Sequence, residues 1–433
     1  MEVTLFGFIY IIVISFFFLS RDTKNMVRIT LISMTLQCDN VIVLGEEGIG
    51  PQIISSMIFV VYSCVNITDF EFFSKSLRPH YVYFFFLVYL CLSCIDSFSL
   101  NLIQIVIYLM CAYSLFNVRK IIGMKFVEKS ILFVIIFVLV IGPIQFLCSS
   151  MLIPKQILEP LFFNDNISGT TVQFYYNFPY LRLFSTFMEP SYCSSFLVGA
   201  IFYIIHLGEK RVRHFKLILS VLLVELILTF STTGYVGFVI VLAIYLLKNS
   251  KREYFHYYFG LILVLFLFFI VFKDSLLNDV LFNKVNSGSA HTRNIWNEKA
   301  IESFLSNPLY GTGFKSVRAS SYLYSLLGET GIIGTMIYSL FLFLLFRPVY
   351  SYRFTEESVV VKASIYFLLS VFICMAIACP DHNLCTFWFG FYIYSISYGD
   401  NLMRELKRKV LIRALLKSGR LNTNQIARKE GAN

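Results

Sequence analysis

Several groups of residues in this chain have types and spacings that could do chemistry. The stretch Arg182 to Ser191 places a guanidinium and the Glu189 carboxylate just before an apolar run. Pro190 suits the first turn of a helix, so Glu189 stands at that helix's mouth, where the dipole favours a carboxylate. The carboxylate there is either a structural cap or an active-site group. The interval Lys273–Leu323 holds His291, Arg293, Lys315 and Arg318 and leads to Glu329 in the run Leu327 to Gly334. Ser231-Thr232-Thr233-Gly234 forms a hairpin tip, and Asp381-His382-Asn383 a short turn whose histidine is either solvated or a ligand for substrate. A patch with Tyr175 and Tyr176 offers rings for sugar C–H faces beside amides and hydroxyls, or equally a belt at the membrane interface.

These groups sit between segments that fix their positions. With 57% hydrophobic and 14% charged residues in 433, the chain is no soluble globular protein. Apolar runs of membrane-spanning length recur from end to end, roughly 3–20, 26–45, 52–69, 81–96, 100–118, 130–148, 191–207, 217–231, 234–247, 257–272, 323–346, 359–379 and 384–400. The fold class is therefore an all-α polytopic membrane protein of about twelve to thirteen transmembrane helices. Residues 1–400 form one transmembrane domain, with two larger loops at 149–190 and 273–322. Run 26–45 is weak, because it carries Gln37, Asp39 and Asn40, and 234–247 is short.

Most of the 36 lysines and arginines fall in one alternate set of intervals, ending with the tail 401–433. By the positive-inside rule that set is cytoplasmic, which puts the 149–190 and 273–322 loops outside the cytoplasm. The net charge of +10 thus reads as topology and contact with anionic lipid, not nucleic acid. The tail has Leu402, Leu406 and Val410 along one face among basic residues and predicts an amphipathic helix on the inner leaflet. Residues 1–20 lack a basic leader and a cleavage site, so they are expected to remain as a first span.

Within the 273–322 loop, His291 to Leu305 predicts an amphipathic helix. Trp296, Ala300 and Phe304, with Ile301 and Leu305, give it a single apolar face. Asn307-Pro308 ends it, since the residue before proline leaves the helical region. No cysteine lies in this loop, so no disulfide frames it; Cys91 and Cys94 in an apolar run read as small buried hydrophobes, or less simply as a metal or redox pair. Among the acidic residues inside or at the ends of spans are Asp39, Asp96 and Glu225. Each needs a partner, a wet cavity or hydration.

Taken together and in order, these motifs are similar to those of bacterial O-antigen and exopolysaccharide polymerases (Wzy-type) and the related O-antigen ligases. Arg182 to Ser191 resembles the family's R…F.EPS stretch, and Ser231-Thr232-Thr233-Gly234 its S-T-x-G turn. Arg293-Asn294-x-Trp296, Asn307-Pro308-Leu309-x-Gly311-x-Gly313-Phe314 and Leu327-Gly328-Glu329-x-Gly331-Ile332-Ile333-Gly334 resemble its loop and following helix. Ligases carry a His-Asn pair before the Tyr-Leu that re-enters the membrane, where this chain has Ala319-Ser320-Ser321, and an arginine where it has Thr232-Thr233. Both departures favour a polymerase.

The resemblance implies a GT-C-like glycosyltransferase in the bacterial inner membrane with a periplasmic active site. It implies transfer of an undecaprenyl-pyrophosphate-linked glycan chain onto a new lipid-linked repeat unit. On that reading Arg182 and Arg293 neutralise pyrophosphate, Glu189 is the general base and His291 its alternative. Arg318, Lys315, Tyr175, Tyr176, Tyr322, Glu329, Thr232, Thr233 and His382 contact substrate. No metal-ligand cluster accompanies these residues, so transfer is expected to be metal-independent and without cofactor. Partners implied are the lipid-linked oligosaccharide, membrane lipid and a chain-length regulator protein. The alternatives are an O-antigen ligase, or a flippase or transporter with Glu225, Asp39 and Lys362 along a path.

Overall fold

A computed structural model describes residues 2–44, 47–67, 70–71, 77–93, 100–119, 121–150, 152, 154, 181–249, 288–351 and 359–398. The expected span 257–272, the tail helix 401–433, Asp96, Tyr175 and Tyr176 lie outside them. Among the described residues the helices are α1 (Leu5–Leu19), α2 (Thr23–Ser33), α3 (Pro51–Asn66), α4 (Arg78–Leu92), α5 (Leu100–Val118), α6 (Met124–Ser149), α7 (Pro190–Leu207), α8 (Phe215–Leu228), α9 (Thr232–Asn249), α10 (Gly288–Ser306), α11 (Tyr322–Ser351) and α12 (Val359–Ala378). A last helix, α13, covers 385–398. Five of these, α5, α6, α7, α11 and α12, are long and apolar enough to cross a membrane, and α1, α3 and α9 are shorter apolar helices. The chain is a multi-pass membrane protein.

The expectation of a span at 26–45 is corrected. Helix α2 ends at Ser33 after 11 residues, about 16 Å of rise against a hydrocarbon core of about 30 Å. Residues 34 to 41 continue as irregular, buried chain. They lead into a small three-stranded sheet, β1 (Glu2–Val3), β2 (Ile42–Leu44) and β3 (Glu47–Ile49), antiparallel in that order with Glu2 opposite Val43 and Leu44 opposite Glu47. The polar residues that weakened this run, Gln37, Asp39 and Asn40, are the ones in the irregular part.

The core is built on α7, in which 78% of the span is buried, against α12 and α13. Apolar area alone does not hold helices together in lipid, so close packing matters. Phe196, Phe367 and Phe389 meet with centroids 5.2–5.5 Å apart. Gly199 admits the Phe367 ring, since a methyl there would stand 2.8 Å from it.

A second irregular segment, 181–189, enters the bundle beside the first. Leu183 N–H donates to Leu228 O (2.9 Å), and Phe184 and Ser185 N–H both donate to Gln145 Oε1 (2.9 and 3.1 Å). Ser185 Oγ donates to Val138 O at 3.0 Å, mid-way along α6. Thr186 O accepts from Gln37 and Cys38 N–H (2.9 and 3.2 Å), tying the two irregular segments together. Non-helical backbone is tolerated at membrane depth only where protein satisfies it, and here it does. Replacing Gln145 with leucine leaves two buried amides unpaired, at about 1–3 kcal/mol each. The expected result is a clear fall in thermal stability of the purified protein, measured by size-exclusion after heating.

Candidate active site

The site end of the bundle is where 181–192, 229–234, 288–329 and 379–383 converge. Glu189 occupies the position before α7. Its carboxylate makes no capping bond to a backbone amide; it accepts from Ser191 Oγ at 2.8 Å and is exposed. The capping role is therefore not what holds it. Beside it the Tyr192 hydroxyl donates to Asp381 Oδ2 at 2.7 Å, which brings the α12–α13 turn against the start of α7. The Cys379 thiol is pushed well above its usual range by burial, then by Cys374 and by the carboxylates of Glu189 and Asp381. Burial thus keeps the thiol protonated rather than nucleophilic.

Arg182 is aimed at the adjoining turn. Its Nε and a terminal nitrogen donate to the carbonyls of Thr229 and Phe230 at 3.0 and 3.1 Å, the end of α8. The next residues explain the Ser-Thr-Thr-Gly turn. Ser231 Oγ, at the start of α9, accepts from Ser194 Oγ (3.0 Å) and faces Gly234 N–H (3.5 Å). Gly234 leaves room for α7, because a methyl there would lie 2.5 Å from Ser194 Cβ. Thr233 is buried and Thr232 half-buried in this seam.

Loop 307–313 is stapled into a break in α11. At Gly331 the helix takes φ 61° and ψ −163°, a conformation essentially restricted to glycine. The carbonyls of Gly328 and Glu329, which lose their helical donors there, accept from Thr312 and Gly313 N–H, both at 3.0 Å. The amides of Ile332 and Ile333 donate back to Pro308 O and Leu309 O at 2.9 and 3.2 Å. Tyr89 of α4 reaches the carbonyls of Thr330 and Tyr310 at 2.9 and 3.0 Å. The two motifs, Asn307 to Phe314 and Leu327 to Gly334, are thus the halves of one backbone joint.

The joint carries a buried polar row. Ser325 Oγ donates to Glu329 Oε1 at 2.9 Å, and Glu329 Oε2 lies 3.3 Å from His382 Nε2 but off the line of a hydrogen bond. His382 Nδ1 is 2.9 Å from the Tyr322 hydroxyl, and its carbonyl accepts from Trp388 Nε1 at 3.1 Å. Tyr322, Glu329 and His382 are each no more than 3% exposed, so they form the wall of the site rather than its surface. The solvated-turn reading of His382 is corrected accordingly.

Helix α10 forms as expected from His291 onward and ends at Ser306, before Asn307-Pro308. Its faces differ from expectation. Ala300 is buried and Trp296 and Phe304 half-buried toward α11, but Ile301 and Leu305 are 42% and 68% exposed. About 100° of rotation, one residue's worth, separates the two sets, and only the first meets α11. Arg318 lies over the Trp296 ring, 4.2 Å from its centroid. Arg293, one turn before Trp296, is exposed on the same helix, as is His291; Lys315 is exposed with φ 56°. No described contact joins Arg293 to Arg182 or Glu189.

Sequence reasoning missed Tyr192, Gln145 and Asn297. Asn297 Oδ1 accepts from Ser320 and Ser321 N–H (2.9 and 3.4 Å) and so sets the approach to Tyr322. Gln145 alone carried a readable signal, a lone amide in the apolar run 130–148. Asp381 had been noted only as part of its turn. Among the described residues no cluster of three His, Cys, Asp or Glu could hold a metal.

No curated protein matches the chain at a significant level. Residues 217–339, from α8 through the joint in α11, are similar to the O-antigen ligase family (Wzy_C), a domain shared by polysaccharide polymerases and O-antigen ligases.

Proposed function

We propose that the chain is a glycosyltransferase that polymerises lipid-linked polysaccharide repeat units at the outer face of the bacterial cytoplasmic membrane. The observation that supports it most is the family match at 217–339, whose Ser-Thr-Thr-Gly turn and stapled loop both border the end of the bundle that holds Glu189. A hydroxyl of the incoming repeat unit attacks the anomeric carbon of the chain being transferred. The bond from that carbon to the pyrophosphate oxygen breaks, and lipid pyrophosphate leaves with the electron pair. Glu189 takes the hydroxyl proton. Exposed Arg293, with Arg318 on the neighbouring ring, supplies forked donors for the pyrophosphate oxygens, so no divalent ion is required. Arg182 holds the carbonyls of Thr229 and Phe230, just before the Ser-Thr-Thr-Gly turn.

A specific contact favours the ligase as the second reading. Ligases carry a His-Asn pair ahead of Tyr-Leu, and here His382, from a different turn, sits against Tyr322. Deleting the gene and profiling surface glycan separates the readings: single-repeat lipopolysaccharide for a polymerase, bare core with long lipid-linked chains for a ligase. Arg293→Ala is expected to leave protein abundance unchanged and to restrict glycan to a single repeat on a gel. Long-chain ladders in that variant would remove Arg293 from the mechanism.

A further inference from the structure

A groove of about 330 Å³ runs between α6 and α8, walled by Pro143, Phe146, Leu147, Ser220, Val221, Val224 and Leu228. It belongs to no part of the reaction described above. Residues flanking it face outward: Leu147 is 38% exposed, Val224 54% and neighbouring Ile227 59%, as befits helices that face lipid. The floor differs from the walls. Glu225 is 1% exposed, and neither of its carboxyl oxygens has a hydrogen-bond partner. Gly142 makes the space, since a methyl there would be 2.9 Å from Glu225 Oε2.

An unsatisfied buried polar group costs about 1–3 kcal/mol, more if charged, so a groove built around one calls for a polar atom from outside. Glu225 lies three residues before Leu228, about 5 Å below the carbonyls that hold 182 and 183. A lipid whose headgroup stands at the level of Arg182 puts the first atoms of its chains at that depth. In an acyl-chain lipid those atoms are an ester or amide group. In an isoprenoid chain they are hydrocarbon and would leave Glu225 unpaired. We propose that the α6–α8 groove is a binding site for one acyl chain of a bilayer lipid, with the Glu225 carboxyl hydrogen-bonded to the ester group at the chain's head. The site does not depend on which glycan transfer the protein performs.

The test uses the full chain in phosphatidylethanolamine–phosphatidylglycerol vesicles carrying a trace of phosphatidylethanolamine with a diazirine in one acyl chain. After irradiation, peptides holding 143–147 and 220–228 are expected to be labelled several-fold more than lipid-facing α1. Val224→Trp, which fills the groove from its exposed rim, and Glu225→Leu are expected to bring labelling down to the α1 level, whereas Glu225→Gln retains it. Monodisperse elution of Val224→Trp guards against loss of fold. Even labelling along α1 and α8, or labelling unchanged by both substitutions, would overturn the proposal. So would labelling of 220–228 by a polyprenyl phosphate photoprobe alone.

Discussion

Gly331→Ala is expected to remove most of the folded protein from the membrane. The φ/ψ pair at this position costs a residue with a side chain about 1–3 kcal/mol by itself. The added methyl would also stand 2.6 Å from Leu309 O and from Gly311 N, both backbone atoms that cannot swing aside. Relaxing either contact pulls loop 307–313 out of the break and exposes four backbone hydrogen bonds at once. Domains are stable by only about 5–15 kcal/mol, so the combined loss is a large share of the total. Membrane-fraction abundance and detergent-extracted monodispersity measure it. Gly334→Ala is the companion: a methyl there would stand 2.4 Å from Thr330 Cβ and 2.7 Å from the Tyr89 ring, so a loss is expected there as well.

Glu189→Gln is expected to lower glycan transfer by about 10²–10⁴-fold, the range general-base catalysis supplies, while leaving protein abundance unchanged. The amide is isosteric and can still accept from Ser191 Oγ, so what is removed is the proton acceptor and not the local geometry. In-vitro extension of lipid-linked repeat units by the purified variant is the measurement. Asp381→Asn provides the contrast. Its side chain keeps the Tyr192 hydrogen bond through the amide oxygen, so a modest effect is expected. If Asp381→Asn abolished transfer and Glu189→Gln did not, the base would be Asp381.

The sequence announced elements whose cause is local. Helix α7 begins at Pro190 because proline fits only a first turn, and α10 stops before Asn307-Pro308 because the ring excludes helix behind it. What stayed hidden depends on partners far away in the chain. Hydropathy over 26–45 saw enough apolar residues for a span, but the return stroke is half helix and half irregular chain, paid for in hydrogen bonds by Thr186. Spacing on α10 grouped Ile301 with Trp296, and only the position of α11 decides which of two adjacent stripes is covered. Arg182 and Glu189 were readable as chemistry. That Arg182 grips the end of α8, and that Glu189 shares its neighbourhood with Asp381, required the packing of α7 on the α12–α13 turn.

The pair of irregular segments meeting at Thr186 also bears on how the protein is made. A helix can enter lipid by itself, since its peptide groups bond within the segment, but 34–41 and 181–189 cannot. Their amides and carbonyls are satisfied by Gln145, Leu228 and each other, groups supplied by stretches of chain synthesised well apart. Insertion of the apolar helices must come first, and the threading of these two strands between them last. The end of the bundle that carries Arg182 and Glu189 is therefore expected to be the final piece of the molecule to acquire its shape.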